Sequence, residues 1–79
     1  MNVRVKLIDI FRDYLPPGVA GASFRLDVQP QDSVGQIFSR LGIPDSLPRV
    51  VTCNGGIVQA DRILKDGDVI AIFSPMFGG

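Results

Sequence analysis

The sequence contains no histidine and no tryptophan, a single cysteine at position 53, and no excess of either charge, with eight Lys and Arg against eight Asp and Glu in 79 residues. Each scarcity closes off a class of function. Without histidine a His-dependent catalytic triad is excluded, and one thiol cannot assemble a zinc or iron–sulfur site, whose soft ligands must converge. Cys53 cannot close an internal disulfide either. A formal charge of zero and an isoelectric point near 6.0 provide no basic surface for nucleic acid or anionic lipid, so the expected partners are proteins. No apolar run approaches the ~18–20 residues needed to span a bilayer. At the N-terminus Val3, Val5 and Leu7 alternate with Arg4 and Lys6, unlike the continuous apolar stretch of a secretory signal, and the expected compartment is the cytoplasm.

What is present is enough for one small domain with an efficient core. At this length the net stability of a typical fold is about 4–12 kcal/mol. The alternation at residues 3–7 predicts a first strand, and Phe24, Leu26 and Val28, set between Arg25 and Asp27, predict a second that hairpins onto it. Between them the apolar phase shifts through Ile10, Phe11, Tyr14 and Leu15, which fits a short helical turn ended by Pro16-Pro17-Gly18. Val34, Ile37, Phe38 and Leu41 recur at i, i+3, i+4 and i+7 and predict the one substantial helix. Ser33 with Gln36 reads as a capping box, Asp32 adds negative charge at the positive end of the dipole, and Gly42 with Pro44 supplies the stop.

After Pro48, residues 49–53 are strand-like, and Asn54-Gly55-Gly56 turns the chain into Ile57 and Val58. Asp66-Gly67 forms another turn before Val69-Ile70-Ala71-Ile72-Phe73, an unbroken apolar run expected to be a central strand buried on both faces. The fold class is therefore α+β, with a single apolar helical stripe covering one face of a mixed sheet. Cys53 shares a strand face with Val51 and is assigned to the core. Asp66 and Asp68 are assigned to a solvated turn.

Beyond Phe73 the chain reads Ser74-Pro75-Met76-Phe77-Gly78-Gly79. Glycine lacks a Cβ, so a Gly-Gly end can thread a channel too narrow for side chains and present a bare carboxylate. With Cys53-Asn54-Gly55, then Leu64-Lys65-Asp66-Gly67-Asp68, the apolar strand, Pro75 and Gly78-Gly79 in this order, the sequence resembles the MoaD/ThiS sulfur-carrier family. That family includes the molybdopterin synthase small subunit and the thiamine-pathway sulfur carrier. Met76-Phe77, directly before the glycines, departs from the smaller or more polar residues of many members.

The resemblance implies a ubiquitin-like β-grasp domain over residues 1–79, with a mixed four- to five-stranded sheet, one main helix on one face, and a flexible tail from about residue 75. It implies a carrier and not an enzyme, with no bound cofactor. A ubiquitin-activating-like adenylyltransferase would use ATP to adenylate the Gly79 carboxylate, with Gly78 threading beside it. Persulfide sulfur from a cysteine desulfurase or rhodanese would convert it to a thiocarboxylate, and the large subunit of an acceptor synthase, molybdopterin synthase first, would take the sulfur. Thiamine thiazole formation or another pathway, conjugation to lysines as a ubiquitin-like modifier, and a plain binding module are the alternatives. Pro75, Met76 and Phe77 leave the sheet with the tail, and the two large apolar side chains are expected to contact a partner.

Overall fold

Strand β1 (Asn2–Leu7) buries Val3, Val5 and Leu7 and exposes Arg4 and Lys6, as its alternation requires. It pairs antiparallel with β2 (Ser23–Asp27), opposing Val5 to Phe24 and Val3 to Leu26. A 3₁₀ segment, Asp9–Tyr14, buries Phe11 under the sheet end, and Pro16 starts the turn that follows it. The computed structural model describes residues 1–75; Met76, Phe77, Gly78 and Gly79 lie outside the described residues.

Helix α1 (Val34–Leu41) occupies the predicted span. Its capping box is formed, with the Gln36 side-chain oxygen accepting the Ser33 N–H, and Gly42 closes the helix at φ 74°, in the left-handed region. Val34, Ile37 and Phe38 are buried on the face toward the sheet. The first helical amides find acceptors outside the helix: Val34 N–H donates to the Arg62 carbonyl at 2.9 Å and Gly35 N–H to the Ala60 carbonyl at 2.8 Å. A Cβ on Gly35 would stand 3.3 Å from the Ala60 carbonyl oxygen, so a residue without a side chain permits this close approach.

Strand β3 (Val50–Cys53) hairpins through the Asn54-Gly55 turn into the two-residue β4 (Gly56–Ile57), and β5 (Val69–Phe73) closes the sheet. The strand order is β2-β1-β5-β3-β4, with β5 parallel to β1 and antiparallel to β3. This is the β-grasp arrangement that the resemblance implies. The last strand is central, yet only one of its faces is sealed. Ile70 and Ile72 are fully buried, whereas Val69 is 47% exposed and Ala71 and Phe73 are half-buried. The expectation of burial on both faces fails because one helix covers one side of a five-stranded sheet. Among the described residues no helix is long and apolar enough to cross a membrane.

Candidate functional site

The residues expected to carry the chemistry extend from the end of β5. Of these, the structure places Pro75, which is exposed immediately beyond the strand; the predicted roles of Met76, Phe77, Gly78 and Gly79 fall outside the described residues. The root of the tail is well defined. The parallel ladder gives hydrogen bonds from Arg4 N–H to the Asp68 carbonyl at 2.9 Å and from Ile8 N–H to the Ile72 carbonyl at 3.0 Å. Ser74 follows, buried, and its N–H donates to the Asp9 carboxylate (Oδ2) at 3.2 Å. The other oxygen of Asp9 accepts the Ile10 N–H at 2.6 Å. Asp9 itself has φ 47°, a left-handed conformation uncommon outside glycine, although Asp adopts it more readily than most residues. Pattern reading passed over Asp9, because its partner lies 65 positions away and no local spacing signals the contact.

Beside this root lies the uncovered sheet face. Register places Val50 across from Phe73, Thr52 across from Ala71 and Ile57, 73% exposed, beyond Thr52. On the other side Lys6 flanks Ala71, Arg4 flanks Val69 and Arg25 opposes Arg4, all three exposed. An apolar strip along β5, β3 and β4 is thus bordered by cations on β1 and β2.

At the opposite end of β5 the Asp66-Gly67-Asp68 turn differs from expectation. Asp66 is exposed and accepts the Asn2 N–H at 2.8 Å, but Asp68 is only 5% exposed, and its assignment to solvent is corrected. Its carboxylate accepts the Asn54 side-chain amide at 3.0 Å and the Lys65 N–H at 2.8 Å. Asn54 completes the junction by accepting the Val69 N–H at 2.8 Å. Burial works against the ionised carboxyl, yet the Lys65 amide, the Asn54 amide, the Cys53 thiol and the Arg62 charge together hold its pKa below the ordinary value. Cys53 is a core residue, 6% exposed, and burial followed by the Asp68 charge pushes its thiol pKa up, away from the thiolate that reacts or binds metal. Among the described residues no group of three His, Cys, Asp or Glu side chains is arranged to hold a metal ion.

A shallow groove of about 490 Å³ separates α1 from the β3–β4 hairpin, lined by Phe38, Asp45, Arg49, Ile57 and Val58 among others. Its cation is already engaged: the Arg49 guanidinium lies 4.5 Å from the Phe38 ring centroid and donates to the Leu47 and Pro44 carbonyls.

No curated protein sequence matches the chain. Among solved structures it is similar to SAMP1 from Haloferax volcanii, at 20% identity over 100% of both chains with a TM-score of 0.74. It is also similar to a putative molybdopterin converting factor subunit 1 from Pyrococcus furiosus, at 23% identity over 94% of this chain and 97% of that one, TM-score 0.71. A chain of the complex of subunits 1 and 2 of the molybdopterin-converting factor from Helicobacter pylori matches over 100% of both chains at 20% identity, TM-score 0.64. At these identities the structural likenesses establish the β-grasp fold. The sequence model of the ThiS family matches residues 18–79, from the turn before β2 through both terminal glycines, and the chain belongs to the ThiS family.

Proposed function

We propose that the protein is a sulfur carrier whose Gly79 carboxylate is activated and then converted to a thiocarboxylate by partner enzymes. The observation that carries the reading is the family match running through Gly78 and Gly79, with the central strand leading to an exposed Pro75 three positions before Gly78. A carboxylate does not release oxygen at neutral pH, so activation must come first. Attack of the Gly79 carboxylate on the α-phosphorus of ATP expels pyrophosphate and leaves an acyl-adenylate. A persulfide sulfur then attacks the acyl carbon and AMP departs. A second thiol cleaves the resulting acyl disulfide, leaving the thiocarboxylate. The catalytic groups and ATP belong to the adenylyltransferase and to the cysteine desulfurase or rhodanese. This chain contributes the tail and the surface that docks it, and acts as carrier without catalysing a step.

Molybdopterin formation is the pathway we assign, with a synthase large subunit as acceptor in the cytoplasm. The molybdopterin-converting subunit structures support this choice. Thiamine thiazole formation would use the same thiocarboxylate. A modifier role, in which a lysine amine replaces sulfur as the nucleophile, is favoured by the similarity to a protein described as a small archaeal modifier, at 20% identity and TM-score 0.71.

Incubation with the adenylyltransferase of the same genome, ATP and a persulfide donor should raise the intact mass by ~16 units, sulfur for oxygen. Gly-Gly remnants on lysines of other proteins, without that gain, would select the modifier reading. Neither product, in a preparation where the adenylyltransferase is active on another substrate, would refute both.

A further inference from the structure

Asp9 occupies the position where the β1–β5 ladder ends. A parallel ladder repeats every two residues, so after Ile8 N–H donates to the Ile72 carbonyl, the next rung would run from Ser74 N–H to the Ile8 carbonyl. That carbonyl is diverted into the 3₁₀ segment, where it accepts the Phe11 N–H at 3.1 Å. The Asp9 carboxylate takes its place and accepts the Ser74 N–H. The following residue, Pro75, has no N–H, so this is the last backbone donor on which the root of the tail can be held before Met76. Asp9 makes this contact from a left-handed backbone, at φ 47°.

We infer that Asp9 is a positioning residue for the carrier reaction: its carboxylate substitutes for a missing ladder rung and sets the direction in which the tail leaves the sheet. The inference rests on the sulfur-carrier reading. Five residues follow Ser74 through Gly79, an extended reach of at most about 18 Å. Fixing the point and direction of departure narrows the volume that a tail of this length has to search before its carboxylate meets an active-site channel. Holding the root raises the fraction of molecules whose tail points into the channel. Apparent affinity scales with that fraction, whereas turnover of the bound complex does not.

Asp9→Gly removes the acceptor and relieves the left-handed backbone; Asp9→Ala removes the same acceptor and raises the backbone cost. In both, amide exchange at Ser74 should accelerate at least about tenfold while the Ile8 amide, bonded to the Ile72 carbonyl, stays protected. In ATP–pyrophosphate exchange with the adenylyltransferase, KM for each variant should rise about fivefold with kcat unchanged. Wild-type protection at Ser74, an unchanged KM, or an effect confined to Asp9→Ala would overturn the inference. If the wild-type protein itself supports no exchange of pyrophosphate, the carrier reading fails instead, and the amide-exchange comparison still decides whether Asp9 holds the root.

Discussion

Replacing Asp68 with alanine tests how much of this small fold depends on one buried carboxylate. The substitution removes the acceptor of the Asn54 side-chain amide and of the Lys65 N–H. Hydrogen bonds to a charged group contribute about 1.5–3 kcal/mol each. Both bonds are part-buried and not sealed from solvent, so the low end of the range applies, about 3 kcal/mol for the two. Against a reserve of about 4–12 kcal/mol this is a large fraction. For a domain of 60–100 residues it corresponds to a fall in Tm of roughly 12–24 °C. The pH dependence has a defined sign. The folded-state pKa of Asp68 lies below its unfolded value, so its contribution is fully present above about pH 4 and is lost as pH falls through the folded pKa. Thermal denaturation of wild type and Asp68→Ala from pH 7 to pH 2 should show a large gap that narrows below about pH 4. A Tm within ~2 °C of wild type at pH 7, or a gap independent of pH, would refute the reasoning.

Deleting Gly79 should abolish adenylation and sulfur loading while leaving Tm nearly unchanged; undiminished ATP–pyrophosphate exchange would eliminate the tail as the reactive group. Cys53→Ser should load sulfur normally and cost about 1–3 kcal/mol, since it puts a hydroxyl into the core in place of a thiol; a folded variant that fails to load would make the thiol a sulfur relay. Phe77→Ala should weaken binding to the adenylyltransferase or acceptor by about 1–3 kcal/mol in calorimetry and alter stability by less than ~0.5 kcal/mol; a Tm loss of several degrees with unchanged affinity would place Phe77 on the domain instead.

Local pattern determined much of this protein. The spacing of Val34, Ile37, Phe38 and Leu41, bounded by Ser33 with Gln36 and by Gly42, specifies α1 because periodicity and capping act within a few residues. The unbroken apolar run of β5 likewise marks the centre of the sheet, and the order of motifs from Asn54 to Gly79 marks the family. Tertiary structure alone decided which side chains meet across long separations. Nothing near Asp68 in the chain announces that Asn54 will cap it, and nothing near Asp9 announces Ser74. Nor does the run Val69–Phe73 reveal that its second face stays open, because that depends on how many helices the chain can lay against the sheet, and α1 covers one side. Periodicity encodes the direction in which a side chain points; whether anything stands there to receive it is settled by packing of elements distant in sequence.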